Sequence, residues 1–262
     1  MLRTFAGGDL FGEIWGMPPA RVLALHGWRR THSDFIGVLG TGSTIGPSSA
    51  IAVDLPGFGA SPPPAEAWGS ADYAGLIARM LKAGGPGLPE GPVVVLGHSL
   101  GGRVAVHLAG SHPDLVRALV LTGAPVAERV GPRRKPPTAF RLIRSARKAH
   151  LVPEQMLERA RKRYGSPDYI AAEGVMRQVL VRLVAENYED QLSRIRCPVE
   201  LVWGDDDTEA PLWIAKAVHT AVRGSVLTVA PGAGHLTPQS VPELLRRAVD
   251  RALDAPVQAG AR

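Results

Sequence analysis

A chain of 262 residues with 45% hydrophobic content is long enough to bury one large core and still carry an insertion. Its single cysteine, Cys197, excludes an internal disulfide and a cysteine metal cluster; it reads as a small apolar residue entering a strand. No run of ~18 apolar residues suggests a membrane span, and Met1–Gly16 lacks the charged-then-apolar pattern of a signal peptide, so a cytoplasmic location is the default expectation.

Residues 2–15 suggest an antiparallel edge pair. Short apolar runs bounded by turns then follow at Arg21–Leu25, Ser49–Val53, Val93–Leu96, Ala118–Leu121, Glu200–Trp203 and Val226–Val229, each with the continuous apolar character of a strand buried on both faces. Helical patterns separate several of them: Tyr73–Lys82, Arg103–Ser111, Pro211–Ala221 and Pro242–Leu253. Strands alternating with helices predict an α/β fold with a doubly wound, mostly parallel sheet. The alternation breaks between Ala124 and Arg196, where the pattern is helical and interrupted by Pro132, Pro136, Pro137, Pro153 and Pro167.

The chemistry is concentrated in Gly97-His98-Ser99-Leu100-Gly101, between a strand run and a helical run. A serine flanked by glycines two residues away on each side, at a strand-to-helix turn, is the pattern of a nucleophile elbow. The bend presents the hydroxyl outward and leaves no space for a Cβ at the glycines. The helix that follows turns its N-terminal amides toward the place where an oxyanion would form. The Leu100 backbone N–H, next after the nucleophile, is one such donor. A serine needs a base, and the base an orienting group. His235 lies on the Gly/Pro-rich loop after Val226–Val229, and Asp205, Asp206 and Asp207 follow Glu200–Trp203. The order Ser, Asp, His is the one this elbow type uses.

With Leu25-His26-Gly27-Trp28, Asp54-Leu55-Pro56-Gly57-Phe58-Gly59 and Gly234-His235 added, the chain resembles the α/β-hydrolase superfamily over roughly residues 20–124 and 196–250. The resemblance implies Ser99 as nucleophile, His235 as general base, Asp207 among the three aspartates as its partner, and the Trp28 backbone N–H as second oxyanion donor. It implies a core of residues 1–124 and 196–262 with a helical cap at 125–195. It implies acyl transfer to water on a small-molecule acyl substrate, an ester or thioester, without cofactor or metal. Serine at position 99 argues against the epoxide hydrolase and dehalogenase branches, which resemble this chain but use aspartate there. Two other readings remain: C–C bond hydrolysis or a lyase step on an anionic substrate, with Arg103 placed as in a lyase of this fold that usually has Tyr where His98 stands, and a non-catalytic binding protein.

Residues 129–163 hold twelve Lys or Arg against two acids, Glu154 and Glu158, so the basic excess of a chain with net charge +6 is local to this segment. Arg141, Arg144, Arg147 and Lys148 share one helix face, and Arg159 and Arg161-Lys162-Arg163 form a second cluster. The plainest reading is a solvated face. A field attracting anionic substrates is the alternative, followed by acidic partners or anionic lipid, with nucleic acid least favoured. Asp54 and His26 read as holders of loop backbone and His98 as buried scaffold. His107, His112, His150 and His219 lack metal-like spacing and read as structural or surface residues. Arg103, one turn into the elbow helix, reads as a scaffold ion pair, or alternatively as a binder of substrate carboxylate.

Overall fold

The computed structural model describes residues 1–40, 49–127, 142–143, 145–147, 149, 151–164 and 166–256. Strands β1 (Arg3–Phe5), β2 (Leu10–Trp15), β3 (Ala20–Leu25), β4 (Ser49–Asp54), β5 (Val93–His98), β6 (Val116–Thr122), β7 (Val199–Gly204) and β8 (Val226–Ala230) form one sheet in the order β1-β2-β4-β3-β5-β6-β7-β8. The β1–β2 and β2–β4 pairs are antiparallel and all others parallel. The six apolar runs are thus the six parallel strands, and residues 2–15 supply the antiparallel edge.

Helices cover both faces, which is why β4 and β5 contain no exposed residue. On one face, Val22 and Ala24 of β3, Val94 and Leu96 of β5, and Ala118 and Val120 of β6 join a single buried cluster. Val38 and Leu39 of α1 (Ile36–Leu39) and Leu245, Ala248, Val249, Ala252 and Leu253 of α10 (Pro242–Asp254) belong to it as well. Those α10 positions recur at three- and four-residue spacing, as one buried stripe requires. The alternate strand residues Leu23, Leu25, Val95 and Leu119 are also fully buried. Against the sheet pack α3 (Leu100–Ser111) and, beside it, α2 (Ser70–Ala83). Burying a side chain of this size contributes roughly 1.5–3 kcal/mol.

The chain divides into two compact units. Met1–Pro63, Gly69–Glu128 and Asn187–Arg262 form the sheet-bearing unit. It includes α7 (Glu189–Arg194), α8 (Leu212–Ala221) and α9 (Thr237–Ser240). Pro64–Trp68 and Arg129–Glu186 form the second unit. Its described residues include α4 (Glu154–Tyr164), α5 (Pro167–Ala171) and α6 (Gly174–Val184), and no strand. Ser166 caps α5 by accepting the Tyr169 N–H at 3.2 Å, with Pro167 at the first helical position. Arg161, Lys162 and Arg163 sit in the last turn of α4, where the helix dipole favours cations. Arg177 and Tyr169 both reach Glu158, at 2.7 and 3.0 Å. Of the basic residues singled out above, Arg141, Arg144 and Lys148 lie outside the described residues, as does His150.

Candidate active site

Ser99 occupies the bend between β5 and α3 at φ 50°, ψ −111°, a region sparsely populated by residues with a Cβ. The surrounding fold over-determines it. The Ser99 N–H donates to the Thr122 carbonyl at 3.0 Å, and the Gly101 N–H donates to the His26 carbonyl at 2.9 Å. The close approach explains the glycines. A Cβ at Gly97 would lie 2.7 Å from the Gly101 oxygen and the Gly102 Cα, and one at Gly101 would overlap the Leu25 carbonyl. Ser99 is half-buried, so its hydroxyl is reachable at the N-terminus of α3.

Asp207 and His235 follow β7 and β8, so both lie with Ser99 at the carboxyl edge of the parallel strands, where open α/β sheets bind ligands. His235 Nδ1 is 2.8 Å from Asp207 Oδ2. The other Asp207 oxygen accepts the N–H groups of Glu209 and Ala210 at 2.9 and 2.8 Å, leaving a buried carboxylate bonded through both oxygens. Register in this loop is decisive. Asp205 is exposed and accepts the Gly232 N–H at 2.7 Å, and Asp206 is exposed. A Cβ on Gly123 would lie 3.0 Å from the His235 ring and 3.4 Å from Asp207 Oδ2. Gly123 follows Thr122, whose carbonyl accepts the Ser99 N–H, so the end of β6 lies against both Ser99 and the His235–Asp207 pair.

His26 secures the loop carrying Trp28. Its Nδ1–H donates to the Gly27 carbonyl at 2.7 Å, and its Nε2 accepts the Leu55 N–H at 2.8 Å. Burial pushes its pKa down to about 4, so the ring is neutral. Phe58 meets both His26 and Trp28 edge-on, at 5.6 and 4.9 Å between ring centres. Among the described residues neither the Trp28 nor the Leu100 backbone N–H has a protein acceptor. His98 is buried beside His235. Its Nε2–H donates to the His235 carbonyl at 2.9 Å, and desolvation, then the neighbouring His235, lower its pKa to about 4. Its Nδ1 has no partner among the described residues.

The remaining candidates have scaffold contacts. Asp54 accepts the His32 N–H at 2.8 Å and the Ala60 N–H at 2.9 Å. The Arg103 guanidinium lies over the Tyr188 ring at 5.8 Å, and His107 meets the same ring edge-on at 5.4 Å. His219 pairs with the Ser225 hydroxyl at 2.9 Å, and His112 ends α3. Burial raises the Cys197 thiol to about 11, so it is protonated at neutral pH. Among the described residues no cluster of three metal-ligating side chains occurs, and no helix is long and apolar enough to cross a membrane.

Three features have no sequence signature. Glu209 Oε2 lies 3.6 Å from His235 Nε2. The Thr122 and Thr237 hydroxyls meet at 2.5 Å. Buried Asp34 takes Arg30 at 2.5 and 2.7 Å and Gln239 at 3.1 Å, joining the loop after Trp28 to the helix after His235.

Residues 22–248 match the model of a family described as "Alpha/beta hydrolase family". The chain is 30% identical over 246 residues to a pimeloyl-[acyl-carrier protein] methyl ester esterase of Chromobacterium violaceum, covering 87% of this chain and 91% of that protein. It is 40% identical over 128 residues to Lipase LipV of Mycobacterium tuberculosis, covering 45% of this chain and 43% of that lipase. In fold it is similar to an esterase from Exiguobacterium antarcticum, with TM-score 0.69, 22% identity, and 97% and 99% of the two chains covered.

Proposed function

Because the chain belongs to the α/β-hydrolase family, we propose that it hydrolyses carboxylic esters or thioesters through a Ser99–His235–Asp207 triad. The observation that carries this reading is the 2.8 Å contact of His235 Nδ1 with a buried, doubly anchored Asp207. It leaves Nε2 as the ring nitrogen for proton exchange, on the same strand edge as Ser99. Ester hydrolysis is also what the names of the esterase and lipase relatives describe.

Ser99 Oγ attacks the acyl carbon while His235 Nε2 takes its proton. The Trp28 and Leu100 amides hold the oxyanion, each donor worth about 3–4 kcal/mol in the transition state. Nε2–H then protonates the leaving oxygen or sulfur, and the acyl–enzyme forms. Water enters, gives its proton to Nε2, attacks the acyl carbon, and the acid departs as Ser99 recovers its proton. Asp207 fixes the tautomer and stabilises the imidazolium without itself accepting a proton. No step calls on a cofactor. Residues 125–195 act as the cap in this reading, and the substrate is a small acyl compound. Release of p-nitrophenol from short acyl esters, lost in Ser99→Ala, tests it. Absence of turnover with retained ligand binding would favour a non-catalytic binding protein, and cleavage of 2-hydroxy-dienoates in place of esters would favour C–C hydrolysis.

A further inference from the structure

We propose that Glu209 sets leaving-group selectivity at this site, favouring esters of cationic alcohols over those of neutral or anionic ones. The inference rests on the triad reading above. With Nδ1 held by Asp207, Nε2 delivers the proton to the departing oxygen, so the leaving alcohol must lie within hydrogen-bond reach of Nε2. Glu209 Oε2 is 3.6 Å from that same nitrogen. Its carboxylate therefore borders the space that the first atoms of the alcohol occupy.

The backbone holding Glu209 is fixed. Its N–H donates to Asp207 Oδ1 at 2.9 Å, the Ala210 N–H donates to the same oxygen at 2.8 Å, and Trp203 Nε1–H donates to the Ala210 carbonyl at 2.6 Å. The charge of its own loop is of one sign. The loop 204–210 carries Asp205, Asp206, Asp207 and Glu209 and no Lys or Arg. Among the described residues no Lys or Arg lies within ion-pair distance of Glu209. His98, the other titratable group against His235, is neutral above about pH 4. A cationic substituent on the alcohol thus meets an uncompensated carboxylate, and an anionic one is repelled. The Glu209 side chain is 66% exposed, so solvent limits the preference to about five-fold.

The test compares kcat/KM for butyrylcholine and for its neutral isostere, 3,3-dimethylbutyl butyrate, in the full chain. The wild type prefers the choline ester, 0.5 M salt shrinks the preference, Glu209→Gln lowers the ratio about five-fold, and Glu209→Lys inverts it. Where neither ester turns over, the same comparison is made on the rate of Ser99 modification by phosphonothioates carrying thiocholine or its neutral isostere. A ratio equal in the wild type and Glu209→Gln, with turnover or modification dependent on Ser99, overturns the Glu209 assignment alone. Turnover that persists in Ser99→Ala, or absence of both turnover and modification, overturns the triad reading and this inference with it.

Discussion

His98 Nε2–H donates to the main-chain carbonyl of His235 across 2.9 Å, with the ring centres 4.9 Å apart. The residue preceding the proposed nucleophile thus holds the backbone of the residue proposed as base, and does so from a position only 1% exposed. The donor must be Nε2–H because a carbonyl only accepts.

This arrangement and its counterpart at His26 make stability pH-dependent. Both rings are held neutral in the fold, with pKa values lowered from 6.5 to about 4 by burial. The unfolded chain takes up their protons first, so the fold has full stability above about pH 6.5 and loses it as pH falls toward 4. Each ring contributes a slope on the order of 1.4 kcal/mol per pH unit. Urea unfolding between pH 8 and 4 should show this decline. A His26→Asn/His98→Asn variant should be less stable at pH 8 but flatter with pH. An undiminished slope would assign the acid limb to other groups.

Ser99→Ala should abolish labelling by a fluorophosphonate probe and reduce kcat on the order of 10⁶-fold. Relief of the left-handed backbone position does not follow from this change, since alanine also carries a Cβ. The variant should therefore unfold at nearly the wild-type temperature. Retained labelling would place the nucleophile elsewhere.

His235→Ala should cost about as much activity as Ser99→Ala, and Asp207→Asn on the order of 10⁴-fold through the wrong imidazole tautomer. Asp205→Asn and Asp206→Asn should be much milder, because both side chains are exposed. Steady-state kinetics of the three aspartate variants checks the loop register. A crippling Asp206→Asn would mean that Asp207 is not the partner that matters in solution.

The basic segment 129–163 gives a separate prediction. If its charge steers substrates, an ester with a carboxylate on the acyl side should be captured faster than its neutral isostere. The excess in kcat/KM should fade as salt shortens the field to about 3 Å at 1 M. Arg144→Glu with Arg147→Glu should weaken the advantage. Equal salt dependence of the two esters would leave these arginines as ordinary solvated charge. Acyl-side attraction and leaving-group selectivity by Glu209 are separable, because they act on opposite ends of the ester.

What the sequence made legible was whatever repeats or is locally spaced. Val93–Leu96 and Ala118–Leu121 reveal strands because both their faces are buried. Gly97 and Gly101 reveal the elbow because only a missing Cβ fits there. His98 illustrates the opposite case. Its partner is a carbonyl 137 residues away, and a backbone group leaves no trace in residue identity. Asp34 is equally silent, because its link to Gln239 spans 205 residues. Glu209 looks like any exposed loop acid until the return of the chain after β8 brings His235 beside it.

The loop from Trp203 to Ala210 has little tolerance for a change in length. Trp203 Nε1–H clamps the Ala210 carbonyl while Asp207 gathers the amides of Glu209 and Ala210. One inserted residue would have to break the indole clamp or pull Asp207 off His235. Variation in this stretch is therefore confined to exposed side chains that hold no loop backbone, such as Asp206 and Glu209. New specificity here would come by exchange of residues at fixed spacing, and engineered libraries should randomise identities at 205, 206, 208 and 209 while keeping Asp207 and the number of residues constant.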